Sequence, residues 1–171
     1  YLCLMTYDQH WSSSPVAGST AELEWVEKSL IKTLKEVPAN KLLLGIPLYT
    51  RLWTEENVEG KTSVTSKALN ITSARGQVSE NEAAVAWSPK RGQYEVSYEK
   101  DGKTYKLWLE DANAVNMKTS LVHKYNIAGA CVWAANFADE TVWPVFLRNL
   151  KRVSHYHEWK EQYSTPVPMN P

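Results

Sequence analysis

Three apolar runs in this chain of 171 residues end in side chains that can bind or polarise a polar substrate. A hydroxyl, a carboxylate and a guanidinium can hold a polar group through hydrogen bonds that strengthen as charge develops on it. An indole offers an apolar face beside them. The runs and their terminal residues are 1–8 with Tyr7 and Asp8, 41–51 with Tyr49 and Arg51, and 127–133 with Trp133.

Each of these runs has the composition of a strand that is covered on both faces. Segments with a helical pattern separate them, and parallel strands need such crossover connections. The three runs therefore predict a parallel sheet whose carboxyl ends carry the candidate residues. Because the first strand begins at residue 1 and three parallel strands cannot close a sheet, we expect the chain to be a piece of a larger fold.

The segment between the first two strands predicts a helix. Ser19 and Glu22 have the spacing of a capping box, in which each side chain bonds the other's backbone. An apolar stripe of helical spacing follows, and Pro38 ends it. The stripe consists of Leu23, Val26, Leu30, Leu34 and Val37.

Residues 52–109 have a different pattern from the rest of the chain. Two alternating segments, 93–99 and 103–109, flank an Asp-Gly pair, which is a strong signal for a β-hairpin. The alternation places Tyr94, Val96 and Tyr98 on one face. We predict a small α+β insertion here, with its rim beside the strand ends.

The strand and helix rhythm resumes after the insertion. Glu110 and Asp111 are suited to begin a helix that runs to Tyr125. A last helix is predicted from about Thr141 to Val153, and the tail from residue 154 is predicted to be loosely ordered.

Composition excludes several classes of partner. The 19 basic and 19 acidic residues cancel, so no strong field would attract nucleic acid. The apolar runs are too short to cross a membrane. The chain has eight Trp and nine Tyr but only two Phe, and such aromatic side chains with a polar group suit a sugar-stacking groove as well as a core.

The two cysteines, Cys3 and Cys131, lie on the first and third strands and should face the same way. If one strand separates theirs, their Cα atoms lie roughly 9–10 Å apart, which is beyond disulfide reach. We therefore expect buried reduced thiols. His155 and His157 have no further ligands at suitable spacing, so no metal site and no cofactor are predicted.

Four motifs, in this order and spacing, resemble the carboxyl-terminal part of family 18 glycoside hydrolases, the group of chitinases and spore-cortex peptidoglycan hydrolases. Together they cover residues 1 to about 150. The motifs are Met5-Thr6-Tyr7-Asp8, the run from Gly45 to Arg51, Glu110-Asp111 followed by Lys118 and Tyr125, and the run from Ala128 to Trp133.

The resemblance implies an α/β fold that is the carboxyl-terminal portion, strands six to eight, of a (β/α)8 TIM barrel with a small α+β insertion. Residues 1–51 and 110–153 would form the partial barrel, 52–109 the insertion and 154–171 a tail. The active site of such a barrel lies at the carboxyl ends of its strands.

The resemblance also implies a substrate-assisted mechanism, in which a Glu protonates the leaving oxygen and the substrate's acetamido group attacks the anomeric carbon. Tyr7 and Asp8 would be catalytic and would orient that group. Met5, Tyr49, Arg51 and Trp133 would bind substrate. The family's Asp-x-x-Asp-x-Asp-x-Glu motif, which carries the acid, is absent from these 171 residues, so we expect this chain alone to be inactive.

The function implied is hydrolysis of β-1,4 bonds beside N-acetylated amino sugars in peptidoglycan or chitin, in an extracellular, cell-wall or spore-associated setting. The expected partners are that polysaccharide and the missing amino-terminal half of the barrel or a swapped copy of the chain. Two alternatives stay open: a non-catalytic, lectin-like relative, and an isolated α/β domain with an unrelated role.

Overall fold

The computed structural model describes residues 1–169 and contains a parallel and an antiparallel sheet. The parallel sheet has the strand order β1–β2–β8, with β1 at Leu2–Met5, β2 at Leu42–Pro47 and β8 at Gly129–Trp133. The helices are α1 (Leu23–Thr33), α2 (Ile71–Glu80), α3 (Ala112–Lys124), α4 (Val142–Leu147) and α5 (Tyr156–Tyr163).

The parallel pairing predicted for the three apolar runs is confirmed. Met5 lies beside Gly45, and Pro47 lies beside Trp133, so all three strands run in the same direction and end at the same edge. On the face of the sheet that α1 and α3 cover, the side chains of β2 are fully buried against these helices. That core includes Leu42, Leu44, Ile46, Val26, Leu30 and Val115.

The opposite face of the parallel sheet is open. Cys3 is exposed, and Met5 and Trp133 keep 67% and 58% of their surface accessible. Buried parallel strands normally have cover on both faces. Within the described residues, the three strands of this sheet therefore leave one apolar face uncovered.

The prediction of reduced thiols is wrong, because Cys3 and Cys131 form a disulfide. Their Cα atoms lie 6.9 Å apart although β2 separates their strands. Two spacings of a flat sheet would place the Cα atoms roughly 9–10 Å apart, so the shorter separation requires the sheet to bend toward the face that carries both cysteines.

The antiparallel sheet has the strand order β4–β3–β7–β6–β5. The predicted Asp-Gly hairpin is confirmed, and the buried face of β6 carries Tyr94, Val96 and Tyr98 as expected. Helix α2 packs on this face. The strands are β3 (Thr50–Val58), β4 (Lys61–Leu69), β5 (Ala84–Ser88), β6 (Gln93–Lys100) and β7 (Lys103–Trp108).

The start of α1 differs from the sequence prediction. Glu22 is the N-cap residue, but no side chain caps the helix. Ser19 instead donates a hydrogen bond to Gln93 across 74 residues, a long-range contact that local spacing cannot reveal. At the start of α3 the prediction is confirmed for Asp111, whose side chain caps the helix by accepting a hydrogen bond from the backbone N–H of Ala114 at 3.0 Å.

The described part of the tail, residues 154–169, is ordered, contrary to the prediction. Helix α5 buries Trp159, whose indole N–H donates to Asn116 at 3.0 Å. Beyond the helix, Asn113 bonds both the N–H and the C=O of Val167. The tail therefore docks on α3 through polar contacts that its composition did not indicate, and residues 170–171 lie outside the described range.

Candidate functional site

Asp8 is the centre of a polar cluster at the carboxyl ends of β1 and β2. The Tyr49 hydroxyl donates to its Oδ1 at 2.6 Å, and an Arg51 nitrogen lies 3.5 Å from the same oxygen. Tyr49 is only 5% exposed, whereas the Asp8 side chain is 48% exposed. The carboxylate is thus held from the protein side and stays open to solvent on the other.

The backbone at Asp8 also matters for this arrangement. Its φ of 56° lies in the left-handed region, which aspartate enters more readily than most residues. The chain therefore turns just after Tyr7, and in this conformation the Asp8 carboxylate reaches the hydroxyl of Tyr49, which lies just beyond the end of β2.

The two tyrosines of the site are neutral hydrogen-bond donors at neutral pH. Burial raises the pKa of Tyr49, and the hydrogen bond to Asp8 raises it further. Burial also raises the pKa of Tyr7, with a smaller contribution from the charge of Asp8. Both hydroxyls can therefore donate to a carboxylate or to a carbonyl oxygen.

Arg51 has N–H donors that make no short hydrogen bond within the protein. Its side chain is 12% exposed, and its buried Nε has no hydrogen-bond partner. Its other contacts are long, at 3.4 Å to the hydroxyl of Ser66 and 3.5 Å to Asp8. A buried guanidinium with so few partners is able to bind an acceptor on a ligand.

Gly45 provides the space that the Tyr7 ring occupies. A Cβ atom at position 45 would lie 3.2 Å from Cε1 of Tyr7 and 2.5 Å from the backbone oxygen of Leu4. The hydroxyl of Thr6 also donates to the Gly45 oxygen at 2.6 Å. Close approach of β1 and β2 at this point therefore requires glycine and fixes the direction of Tyr7.

We expect Gly45→Ala to lower the free energy of unfolding by about 1–3 kcal/mol, because the added methyl meets backbone rather than a flexible side chain. Urea unfolding of the purified chain measures the effect. Gly76→Ala in α2 is the matched control, since its Cβ would meet only a Glu80 oxygen at 3.5 Å. Equal stability of the two variants would contradict this account of the close approach.

Trp133, at the end of β8, and Phe137, in the loop that follows, lie beside the cluster. The backbone oxygen of Trp133 accepts a hydrogen bond from Leu48 at 2.8 Å, which anchors the end of β8 while the indole stays exposed. The Phe137 ring lies 5.7 Å from that of Tyr49 and helps to bury it. Sequence analysis missed Phe137, because only the folded loop brings it over β2.

All six residues predicted from the sequence lie at the carboxyl ends of the parallel strands or just beyond them. Three of them, Asp8, Tyr49 and Arg51, are in mutual contact. Tyr7 and Met5 lie beside Gly45, on one side of β2, and Trp133 lies on its other side.

A buried ion pair lies directly behind the site and was not predicted. Lys118 donates to Glu110 at 2.6 Å, and both side chains are at most 1% exposed. Glu110 also accepts from Gln93 at 2.8 Å, and its backbone N–H donates to the Thr50 hydroxyl. Burial raises the pKa of Glu110 to about 7, while Lys118 opposes this rise.

These contacts give Glu110 a different role from the helix capping that its position suggested. Asp111 alone caps α3, whereas Glu110 joins α3 to strands β3 and β6 of the second sheet. The i,i+8 spacing of Glu110 and Lys118 was the available signal, but spacing alone does not indicate that both are buried.

Among residues 1–169, no three His, Cys, Asp or Glu side chains come together in a way that would hold a metal ion. None of the helices in this part of the chain has the length and apolar character needed to cross a bilayer. The candidate site consists of Asp8, Tyr49, Arg51, Tyr7 and the exposed face of Trp133.

Comparison with solved structures gives similar folds. A chitinase from Chromobacterium violaceum ATCC 12472 aligns with a TM-score of 0.74 at 27% identity, covering 90% of this chain and 46% of that chain. The spore cortex-lytic enzyme SleL of Bacillus cereus aligns with a TM-score of 0.76 at 21% identity, covering 86% of this chain and 34% of that chain.

Sequence comparison gives the same grouping. The chain is 29% identical over 154 residues to the uncharacterized glycosylase YvbX of Bacillus subtilis strain 168, covering 88% of this chain and 42% of the relative. It thus spans less than half the length of that relative. The sequence profile of glycosyl hydrolases family 18 matches residues 1–138, which contain the whole site. On this match, together with the shared fold, the chain belongs to glycosyl hydrolase family 18.

Proposed function

We propose that this chain is part of a glycoside hydrolase that cleaves β-1,4 bonds next to N-acetylated amino sugars, with peptidoglycan as the first candidate substrate and chitin as the second. The observation that carries the proposal is the Asp8 carboxylate, which Tyr49 and Arg51 hold at one oxygen and which faces solvent at the strand ends. A carboxylate fixed in this way is suited to orient an amide N–H of the substrate.

The proposed reaction uses the substrate's own acetamido group as nucleophile. Its carbonyl oxygen attacks the anomeric carbon, and the bond to the leaving oxygen breaks as an acid protonates that oxygen. Asp8 would accept the acetamido N–H and stabilise the positive charge that develops there, and the neutral Tyr7 hydroxyl would donate to the acetamido oxygen. Trp133 would give the sugar an apolar face.

The acid for this reaction would come from outside these residues. The family motif that carries the catalytic Glu is absent from the 171 residues, and the chain spans 42–46% of two of its relatives. We propose that residues 1–51 and 110–153 contribute strands six to eight of a TIM barrel and that residues 52–109 form a wall beside the site.

The open face of the parallel sheet supports this division. Met5 and Trp133 expose large apolar surfaces on that face, and both outer strands, β1 and β8, have a free edge within the described residues. An amino-terminal half-barrel, or a swapped copy of this chain, would pair with these edges and cover the face.

We propose an extracellular, cell-wall or spore-associated location. The Cys3–Cys131 disulfide supports it, because disulfides persist in oxidising compartments. One relative at 24% identity, covering 84% of this chain and 33% of its own length, is the cortical fragment-lytic enzyme of Bacillus subtilis, and the structurally similar SleL of Bacillus cereus is a spore cortex-lytic enzyme.

The test is Asp8→Asn in the protein that carries this chain together with an amino-terminal half-barrel. We expect kcat on N-acetylglucosamine oligomers or peptidoglycan to fall at least roughly a hundredfold, with KM changing much less. The asparagine keeps the shape but loses the charge that the transition state needs. Reducing-end release and initial rates measure both constants.

The matched control is Asp101→Asn, which changes an exposed aspartate of similar backbone conformation in the β6–β7 hairpin. It should leave both constants unchanged. A change confined to KM in Asp8→Asn would reject the catalytic role. The 171-residue chain by itself should release no reducing ends, and turnover by it would show that the acid lies within these residues.

The lectin-like alternative rests on the exposed indole of Trp133. Aromatic faces bind sugars with or without catalysis, so this feature alone does not separate the two functions. If the wild-type protein binds N-acetylglucosamine oligomers, as titration calorimetry would show, but releases no reducing ends, the sugar-binding function replaces the hydrolytic one.

A further inference from the structure

We propose that Arg75, which lies in α2 and outside the site, is a positioning residue for it. Its ion pair with Asp139 holds the loop of residues 134–141, which connects β8 to α4, so that Phe137 stays over Tyr49. The inference rests on the proposed function for its catalytic consequence, but its structural part can be tested without activity.

Asp139 joins this loop to α2 and also closes the loop upon itself. One carboxylate oxygen accepts from the backbone N–H of Thr141 at 2.9 Å and from the Thr141 hydroxyl. The other oxygen accepts a hydrogen bond from the guanidinium of Arg75. The Asp139 side chain is only 12% exposed, so a loss of Arg75 would leave a largely buried carboxylate oxygen without its donor.

Phe137 transmits the position of the loop to the site. It is part of a short 3₁₀ turn, Ala135–Phe137, two residues before Asp139. Its ring lies 5.7 Å from the ring of Tyr49 and is tilted by 48°. Tyr49 keeps 5% of its surface accessible, and its hydroxyl donates to Asp8 at 2.6 Å.

Displacement of Phe137 would admit water to the Tyr49 hydroxyl. Water then competes for the hydrogen bond to Asp8, which is stronger in a dry environment. The carboxylate would lose a fixed orientation, and the end of β8 that carries Trp133 would gain freedom, since the loop begins at the next residue.

The effect should be local. The Arg75 side chain is 42% exposed, and without the ion pair the loop can open and return the Asp139 carboxylate to water, so the cost to global stability stays small. A contact that only stabilised the fold would change the unfolding midpoint and the exchange of many segments together. A positioning contact changes the exchange of the loop and of the segment that contains Tyr49, with the midpoint nearly unchanged.

The structural test uses hydrogen–deuterium exchange of the 171-residue chain, read by mass spectrometry on peptides. We expect Arg75→Met to raise amide exchange in residues 134–141 by about fivefold to tenfold, and to raise it less in the peptide that contains Tyr49. Arg75→Lys, which keeps the charge but not the planar fork, should restore part of the protection. The urea midpoint should stay the same.

Lys28→Met is the matched control, because it removes an ion pair that lies wholly at the surface, that between Lys28 and Glu24 in α1. Its exchange in residues 134–141 should equal that of the wild-type chain. The proposal is overturned if Arg75→Met leaves the loop protected, or if it raises exchange throughout the chain together with a lower midpoint.

The functional test repeats Arg75→Met in the protein that carries an amino-terminal half-barrel. We expect kcat to fall about fivefold with KM nearly unchanged. Faster loop exchange with wild-type kcat would overturn the positioning role. If the wild-type protein has no turnover, the proposed function fails, and the exchange experiment then decides by itself whether Arg75 positions the loop.

Discussion

Reduction of the Cys3–Cys131 disulfide is expected to lower the free energy of unfolding of this chain by up to about 5 kcal/mol. The two cysteines are 128 residues apart in the sequence, so the bond closes most of the chain into one loop. Reduction of the disulfide removes this constraint from the unfolded chain. The conformational entropy that the unfolded state gains increases with the length of the loop.

Urea unfolding with and without dithiothreitol measures this loss, and the double variant Cys3→Ala with Cys131→Ala should reproduce the reduced chain. In the double variant, dithiothreitol should have no effect, which controls for the reagent. Two free thiols in the oxidised chain after denaturation, counted with a thiol reagent, would disprove the disulfide itself.

The second large effect is expected at the buried ion pair behind the site. Lys118→Met should lower the free energy of unfolding by about 3–5 kcal/mol at pH 8, because it leaves Glu110 buried without its cation. Methionine fills nearly the same volume, so lost packing contributes little. The double variant Glu110→Gln with Lys118→Met should recover much of this loss, since it leaves no buried charge at either position.

The pH dependence of the same variants has a defined sign. Burial raises the pKa of Glu110 from 4.5 to about 7, so in this range the folded chain keeps a proton that the unfolded chain releases. The contribution of Glu110 to stability is therefore complete below pH 4.5 and is lost as pH rises through 7. Lys118 lowers that pKa, so its removal should destabilise the chain more at pH 8 than at pH 5.

Equal destabilisation by Lys118→Met at both pH values would contradict a charged interaction at this position. Lys124→Met is the matched control, because Lys124 pairs with Glu27 at the surface of the same helix and is 37% exposed. That substitution should cost less than about 1 kcal/mol at either pH.

The three apolar runs could be predicted as parallel strands because their side chains are apolar almost without interruption, which only strands covered on both faces need. The hairpin of the second sheet could be predicted for a similar reason, since Asp101 and Gly102 adopt positive φ values that few other residues tolerate. Both patterns are local, so they can be recognised without knowledge of the fold.

The tail and the start of α1 were predicted wrongly because their partners are distant in sequence. Ser19 bonds Gln93 instead of capping its own helix. Trp159 packs into a pocket where Asn116 accepts its N–H. At Ser19 the tertiary contact outweighs a capping preference worth about 1 kcal/mol.

The sequence by itself determined which side chains lie at the ends of the parallel strands, because strand direction and the alternation of side chains follow from the backbone alone. Only the tertiary structure decided that Tyr49 donates to Asp8, that Phe137 covers this bond, that Glu110 is buried against Lys118, and that the sheet bends enough for Cys3 to reach Cys131. These contacts depend on the curvature of the sheet and on the closure of loops over 8 to 128 residues, and no local pattern in a chain encodes either of them.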